Sequence, residues 1–387
     1  MSPITRAALI SASLLAATAV QAEPVKIGIL TSYSGITATS GQQTDNAIKL
    51  FLQENGDTIG DKKLEFVRRD STGPNPDVVK RLGQELIFRE KVQILHGIDF
   101  TPNVLALAPV LTEGKTPGII TGAATSGTVA QKSPYYARTF MTLSQISRPM
   151  AQWALKNNIK KIYTVVADYA PGHESEGAFI DEFTKGGGTV VDKLRVPTRN
   201  PEFSPYMQRI RDAKPDAIFA FMPVGELSVG LLQAYSASGL AQVGIKLIGT
   251  GDLTDEGYLD AAGNAALGVV TAFIYSNTHD SQMNRDFIRK YEALNGKDLR
   301  IGISSVATWD GLNLIRDALL AQNGTPFNAD AFMKFIAGRK MESPRGPIQI
   351  DEKSHDIIQN VYIRRVDRID GTLQNVEIDT IPNVQPD

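Results

Sequence analysis

The chain has 387 residues, with 40 lysines and arginines against 42 aspartates and glutamates, a net charge of −2 and no cysteine. This balance argues against a nucleic-acid-binding protein, and the lack of cysteine excludes disulfides, thiolate metal sites and cysteine nucleophiles. At about 150 residues per domain, the length predicts about two domains.

The first 22 residues have the pattern of an export signal. Arg6 supplies the positive charge, residues 7–20 form a short apolar stretch, and Val20-Gln21-Ala22 is a small-x-small cleavage sequence. The apolar stretch is short for a membrane span, which needs roughly 20 residues, although an N-terminal anchor helix is an alternative. We therefore predict cleavage after Ala22, a mature chain beginning at Glu23, and a periplasmic or extracellular location.

Strand patterns alternate with helical patterns along most of the mature chain. The first set is strand 25–30, loop 31–41, helix 46–53, strand 64–68, helix 75–89, strand 92–97, helix 103–111 and strand 116–121. The second set is a helix around 153–155, strand 161–167, helix 176–184, strand 190–196, helix 203–213, strand 217–222, helix 227–238 and strand 246–249. Such alternation predicts βαβ units and parallel sheets. Two sets of this size predict an α/β fold with two doubly wound lobes.

The C-terminal part of the chain breaks this rhythm. Helical patterns at 283–294, 306–322 and 329–337 follow one another directly, before strands at 348–350 and 357–366. Helices without intervening strands indicate that the chain returns to complete an earlier lobe. The lack of a Gly/Ser-rich linker favours several short crossovers between the lobes.

The segment Ile119–Gly127 (IITGAATSG) is an apolar strand that ends in a turn of small and hydroxyl residues. Its backbone N–H groups and the hydroxyls of Thr121, Thr125 and Ser126 can face a ligand there. A helix starting near Ser126 would add a preference for negative charge. We interpret the turn as an anion-accepting site that holds a ligand rather than transforming it.

Sequence motifs for catalysis and cofactors are missing. The four histidines are scattered, and neither HExxH, GxSxG nor a P-loop occurs. Gly249-Thr250-Gly251 follows a strand, but the third glycine and the acidic partner of a dinucleotide site are not in place. We therefore predict a protein that is not an enzyme and uses no cofactor or metal, with an exported hydrolase as the least favoured alternative.

Six turns at predicted strand ends are rich in small, hydroxyl and aromatic residues. They are 31–41, 99–103, 122–127, 168–172, 223–225 and 250–254. Ligands of open α/β sheets bind outside the carboxyl ends of the strands. Each turn alone could be an ordinary loop, but together they predict a ligand cleft between the lobes.

Several segments carry a family resemblance: VKIGILTSYSG at 25–35, Asp70, GAAT at 122–125, ART at 137–139 and GIKLIGTGD at 244–252. In their order and spacing they resemble the periplasmic leucine/isoleucine/valine-binding family, the type I solute-binding proteins of ABC importers. The resemblance covers nearly the whole mature chain. It implies two Rossmann-like lobes joined by three crossovers that close over a ligand by hinge bending.

The resemblance also implies an organisation and partners. The first lobe would comprise residues 23–143 plus 276–345, and the second residues 144–275 plus 346–387. The partners would be a small carboxylate ligand, an inner-membrane ABC permease and its ATPase subunits, without nucleic acid. A ligand sensor that signals to a receptor or regulator is an alternative with the same fold.

Carboxylate-binding residues follow from the same resemblance. Ala123, Ala124 and Thr125 match the segment that holds the ligand carboxylate through a backbone amide and the threonine hydroxyl. Pro102 falls at the position of a carboxylate-binding serine and is flanked by Thr101 and Asn103.

Contacts to the rest of the ligand are also implied. Phe100 falls at an apolar contact, and Ser40 falls where an aromatic side chain often closes the first loop. Val224 falls where the second lobe usually offers a tyrosine.

The sequence departs from the amino-acid binders where those proteins neutralise the ligand ammonium. Gly251 falls at their acidic position, and Asp252 is its neighbour. Since a buried ammonium without a carboxylate is costly, a carboxylate without an α-amino group is favoured unless Asp252 takes over. A branched-chain amino acid and an aromatic or other organic acid therefore both stay open.

Two turns favour an aromatic or apolar acid. DFTPN at 99–103 and DYAPG at 168–172 are similar to segments of family members that handle such ligands. Four aromatic side chains are candidates for stacking around the ligand: Phe100, Phe140, Tyr169 and Tyr275.

Overall fold

The computed structural model of the chain describes residues 23–124, 127–199, 201–297 and 300–386. Within these ranges the strands form two sheets, one of six strands and one of nine. The first sheet contains β1 (Glu23–Thr31), β2 (Thr58–Ile59), β3 (Lys62–Asp70), β4 (Ile94–Asp99), β5 (Gly118–Gly122) and β6 (Tyr136–Arg138). The second contains β7 (Lys161–Ala167), β8 (Thr189–Val196), β9 (Ala217–Phe221), β10 (Lys246–Thr250), β11 (Val270–Phe273), β12 (Lys340–Ser343), β13 (Gly346–Ile350), β14 (Ile357–Ile369) and β15 (Thr372–Val384).

Helices connect the strands of both sheets. Those of the first half are α1 (Ala38–Asn55), α2 (Pro76–Gln84), α3 (Thr101–Gly114), α4 (Val129–Lys132), α5 (Leu143–Lys156) and α6 (Ala170–Lys185). Those of the second half are α7 (Ser204–Ala213), α8 (Glu226–Ser238), α9 (Leu259–Ala262), α10 (Gln282–Asn295), α11 (Ile303–Leu320) and α12 (Ala329–Ile336). No helix of the described chain is both long and apolar enough to cross a membrane.

The first sheet is built around β1, which pairs in parallel with β3 and β4. Its residues Val25, Ile27 and Ile29 are fully buried, as expected for a parallel strand covered on both faces. The strand order is β2-β3-β1-β4-β5-β6. Because β1, β3, β4 and β5 run parallel to one another, their carboxyl ends lie at one edge of the sheet.

The second sheet is mixed. Strands β8, β7, β9, β10 and β11 are parallel neighbours. Strand β14 runs antiparallel to β11, to β13 and to β15. Both sheets therefore present a row of parallel strand ends, which is where ligands of α/β proteins bind.

The chain passes between the sheets in three segments: 139–142, 274–281 and 337–339. Helix caps follow two of them. The Thr142 hydroxyl accepts a hydrogen bond from the Gln145 N–H and the Gln145 side chain bonds back to Thr142, while the Ser281 hydroxyl accepts one from the Asn284 N–H. These caps satisfy N–H groups that a helix start leaves open. The predicted fold, two doubly wound α/β lobes with three crossovers, is confirmed, whereas the exact lobe boundaries stay a prediction.

Some element predictions were wrong. Residues 38–41 belong to α1 rather than to a loop, since a tight turn at Gly35–Thr37 leads directly into that helix. Strands β2, β6, β11, β12 and β15 were not predicted. Strand β15 pairs only with β14, and its polar, partly exposed sequence lacks the apolar run of a central strand.

The first crossover is anchored by Arg345, which lies in the turn between β12 and β13 and is 1% exposed. Its guanidinium lies 2.8 Å from the Asp310 carboxylate on α11. It also donates to the Thr139 carbonyl at 2.6 Å and to Gln359 Oε1 on β14 at 2.5 Å. One buried cation thus joins a helix of the first lobe, the first crossover and a strand of the second sheet.

Replacing Arg345 with methionine should lower the free energy of unfolding by about 3–5 kcal/mol, because Asp310 would stay buried without its partner. The control is Arg365→Met, which breaks the Arg365–Asp367 pair, whose side chains are 48% and 29% exposed. That loss should stay below about 1 kcal/mol. Urea denaturation of both variants measures the difference, and equal losses would contradict the role of Arg345.

Candidate ligand-binding site

Asp99 joins three strand ends of the first sheet. Its Oδ2 accepts hydrogen bonds from the Ser32 N–H at 2.9 Å, the Ser32 hydroxyl at 2.6 Å and the Ser71 hydroxyl at 3.2 Å. Its Oδ1 accepts one from Asn103 Nδ2 at 3.1 Å. Burial raises the pKa of Asp99, and these donors oppose that rise. The ends of β1, β3 and β4 are therefore held together by one carboxylate.

Phe100 follows Asp99 with a backbone φ of 57°. This is the left-handed region, where a bulky side chain is strained. Its carbonyl accepts the Asn103 N–H at 3.1 Å, and its own N–H points to the Gly122 carbonyl at 3.4 Å. Strain of this kind persists only where the surroundings impose it, and it concentrates at functional sites.

Thr101, Pro102 and Asn103 form the first turn of α3 rather than a loop. Pro102 is exposed and Thr101 is half-buried. A proline is tolerated in the first turn of a helix because the N–H that it lacks would have no acceptor within the helix. Asn103 is fully buried, and its amide also donates to the Gly73 carbonyl at 3.0 Å. Its donors are therefore used within the protein.

The GAAT segment lies beside this turn. Gly122 pairs with Asp99 in the sheet, Ala123 is buried and Ala124 is half-buried. Thr125 and Ser126 lie outside the described residues. The structure thus brings the segments 99–103 and 122–124 together, as the resemblance implied.

Two details of the expected anion site were wrong. The helix after the turn starts at Val129, not near Ser126, and has only four residues. Thr121 is 3% exposed and lies within β5, so its hydroxyl does not face outward. The helix dipole therefore gives little support to an anion site here.

The lobes meet near Ser40, which is half-buried in the first turn of α1. A β-carbon at Gly257 of the second lobe would lie 3.5 Å from Thr39 Cγ2. Arg300 bridges the lobes as well, since it lies 3.2 Å from Glu256 and also pairs with Asp260. Ser40 is therefore at the border between the lobes.

Tyr169 and Val224 stand at strand ends of the second sheet. Tyr169 precedes α6 directly after β7, and its ring lies 6.1 Å from that of Phe221. Val224 follows β9, and both Tyr169 and Val224 are half-buried. The two side chains thus supply partly exposed apolar surface at this edge.

Gly251 has no room for a side chain. A β-carbon there would lie 2.2 Å from Cγ of Phe273 on β11. An acidic residue at this position would require the Phe273 ring to move. The nearest carboxylate in the sequence belongs to Asp252, which is the next residue of the turn.

Asp252 is half-buried, and its Oδ2 is covered without a hydrogen-bond donor among the described residues. Burial raises the pKa of Asp252 to about 6, and the Thr250 hydroxyl, the Asp252 backbone N–H and the charge of Arg364 oppose that rise. Burial also raises the pKa of the Tyr169 phenol, and the charge of Asp252 adds to that rise. The two side chains are therefore electrostatic neighbours.

Phe140 and Tyr275 do not line a cleft, so their predicted stacking role was wrong. They are 8% and 2% exposed, and the Tyr275 hydroxyl donates to Asn284 Oδ1 at 3.0 Å. Both stand in crossovers, where aromatic side chains fill the core between the lobes.

Two cavities in the described part of the chain are lined by other residues. One of about 390 Å³ lies on the first lobe beside Phe287 and Trp309. The other, of about 160 Å³, lies between α1 and the 256–260 segment. Neither includes a predicted ligand residue. The described residues also hold no cluster of three or more potential metal ligands.

Two α/β lobes that are joined by three chain segments and each end in a row of parallel strand ends have the architecture of a binding protein. The sequence matches the periplasmic binding protein family over residues 24–372, and the chain belongs to this family. It is 41% identical over 367 residues to Leu/Ile/Val-binding protein homolog 6 of Brucella melitensis biotype 1, across 95% of this chain and 94% of that protein.

Solved structures of solute-binding proteins are similar throughout. One from an ABC transporter of Rhodopseudomonas palustris BisB5, in complex with 3,4-dihydroxy benzoic acid, is 42% identical with a TM-score of 0.87, covering 94% of this chain and 98% of its own. Another from R. palustris, in complex with 4-hydroxybenzoate, is 38% identical with a TM-score of 0.89 and the same coverage. The predicted class, a solute-binding protein of an ABC transporter that is not an enzyme, is confirmed.

The strained backbone at residue 100 yields a stability test. Phe100→Gly should be more stable than Phe100→Ala by about 1 kcal/mol, because only glycine adopts this φ without strain. At Leu105, on α3 and 51% exposed, the order should reverse and alanine should be better by about 0.5–1 kcal/mol. The melting temperatures of the glycine and alanine variants at both positions measure these differences. A Phe100→Ala variant that melts at a higher temperature than Phe100→Gly would contradict backbone strain at residue 100.

Proposed function

We propose that this protein captures a small aromatic carboxylate in the cleft between its lobes and delivers it to a membrane permease. The observation that carries the proposal is the close packing of Gly251 against Phe273. It leaves no room for the acidic side chain that amino-acid-binding proteins have at this position. The similar structures in complex with hydroxybenzoates support the same ligand class.

In this proposal the first lobe holds the ligand carboxylate. Ala123, Ala124 and Thr125 would bind it through a backbone amide and a hydroxyl. Thr101 and Pro102 border the same edge, with Asn103 supporting the turn from below. Backbone N–H groups and hydroxyls are effective partners for a carboxylate because such hydrogen bonds are charge-assisted.

The ring would lie between the two lobes. Phe100 of the first lobe and Tyr169 of the second supply aromatic faces, and Val224 supplies an aliphatic one. Ser40, at the border of the lobes, would cover the entrance on closure. An aromatic ring gains free energy both from burial and from offset or edge contacts with such side chains.

The same proposal sets the cellular context. The chain would be exported by its N-terminal signal, cleaved after Ala22, and work in the periplasm. Its partners would be an inner-membrane permease and ATPase subunits that recognise the closed form. The two lobes would comprise 23–143 plus 276–345 and 144–275 plus 346–387.

Calorimetric titration with benzoate, 4-hydroxybenzoate, leucine and phenylalanine tests the ligand class. We expect dissociation constants for the aromatic acids at least 100-fold below those for the amino acids, since an unpaired buried ammonium costs several kcal/mol, roughly 3–5. Tight binding of leucine, with millimolar or no binding of aromatic acids, would refute the proposal.

Thr125→Val removes the proposed carboxylate donor while keeping the side-chain shape. The affinity for the ligand should fall by about 10- to 100-fold, as for a hydrogen bond to a charged group. Thr184→Val on α6 is the matched control, because its exposed hydroxyl bonds only to backbone carbonyls of its own helix. Equal ligand affinities of the Thr125→Val and Thr184→Val variants would show that the Thr125 hydroxyl does not contribute to binding.

A further inference from the structure

We propose that the carboxylate of Asp252 accepts a hydrogen bond from a para-hydroxyl group on the ligand ring. Asp252 thereby selects 4-hydroxylated aromatic acids over their unsubstituted analogues. This inference rests on the proposed function, since it requires an aromatic carboxylate in the cleft.

The first argument is an unmet hydrogen-bond acceptor. Oδ2 of Asp252 is covered, yet no described residue donates to it. The turn that carries it is held in place, because the Ser228 hydroxyl lies 2.9 Å from the Pro223 carbonyl and 3.3 Å from the Asp252 carbonyl. A buried acceptor without a donor is costly, so a ligand that supplies a donor is favoured.

The equivalent carboxylate of the first lobe shows what a structural role looks like. Asp99 also ends a parallel strand, but its two oxygens accept hydrogen bonds from Ser32, Ser71 and Asn103. In contrast, Oδ2 of Asp252 accepts no hydrogen bond within the described ranges. The difference points to a ligand group as the missing partner of Asp252.

The charge state fits an acceptor. Burial raises the pKa of Asp252 to about 6, so at pH 7 the carboxylate is mainly ionised and can only accept. A phenol is a donor and carries no charge at this pH. The hydrogen bond to an ionised acceptor is stronger than one between neutral groups.

The position in the cleft selects the para substituent. The described part of the proposed carboxylate-binding segment, residues 122–124, belongs to the first lobe, whereas Asp252 follows a strand of the second. On a benzoate ring only the para position points directly away from the carboxylate. A ligand held by its carboxylate in the first lobe therefore presents its para-hydroxyl group to the second lobe, where Tyr169 neighbours Asp252.

The test compares 4-hydroxybenzoate with 4-fluorobenzoate and benzoate by calorimetry on the full-length mature protein. The wild type should prefer 4-hydroxybenzoate over 4-fluorobenzoate by about 10- to 100-fold, as for a hydrogen bond to a charged acceptor. In Asp252→Ala that preference should fall to within about threefold, and in Asp252→Asn it should take an intermediate value.

Asp255→Asn is the matched control. Asp255 belongs to the same loop and is also half-buried, but its Oδ1 accepts the Gly257 N–H at 2.9 Å. Its replacement removes a negative charge nearby and should leave the preference for the hydroxylated ligand within about threefold of the wild type. Melting temperatures show that each variant is folded, and Asp252→Asn keeps the test valid if the alanine variant is not.

The outcomes separate this inference from the proposed function. Equal wild-type affinities for 4-hydroxybenzoate and 4-fluorobenzoate would overturn the role of Asp252 while the aromatic ligand class stands. A preference for 4-hydroxybenzoate that persists in Asp252→Ala would also overturn the role of Asp252, because another group would then bind the para-hydroxyl group. If the protein bound only amino acids and lost that binding in Asp252→Ala, both the proposed function and this inference would be overturned. Asp252 would then pair with the ammonium group of an amino acid.

Discussion

The buried ion pair between Arg345 and Asp310 is the interaction on which the two-lobed arrangement depends. Taking these charges out of water is costly, and the cost is offset only when the geometry is fixed and the remaining hydrogen bonds are made. Thr139 in the first crossover and Gln359 in the second sheet accept the remaining hydrogen bonds of the Arg345 guanidinium. The first of the three crossovers is therefore held by a buried ion pair and its hydrogen bonds.

From this fixed region the two sheets present their strand ends differently. In the first lobe the carboxylate of Asp99 is saturated by donors from neighbouring strands, and the adjacent Phe100 is held in a strained conformation. In the second lobe Asp252 has a covered oxygen without a donor. The strand ends of the first lobe are thus held by internal hydrogen bonds, whereas those of the second lobe include an acceptor without a hydrogen bond. Such an acceptor lowers stability, a loss that is typical of binding sites.

The sequence was most informative where the physics is local. Strand 161–167 and the three successive C-terminal helices could be predicted because periodicity and burial follow directly from neighbouring residues. Strand β15 could not, since its pairing with β14 supplies the order that its polar sequence does not indicate. Phe140 and Tyr275 were misplaced for a related reason: an aromatic residue looks the same in a sequence whether it lines a cleft or fills a core.

By itself the sequence determined the alternation of strands and helices, the lack of cysteine chemistry and the turn at 122–125 that resembles a carboxylate site. It also showed a glycine at 251 with an aspartate beside it, but not what either residue does. Only the tertiary structure decided that Phe273 on the neighbouring strand excludes a side chain at Gly251 and that Asp252 lacks a donor. Both depend on contacts between segments far apart in the chain, which local sequence patterns do not encode.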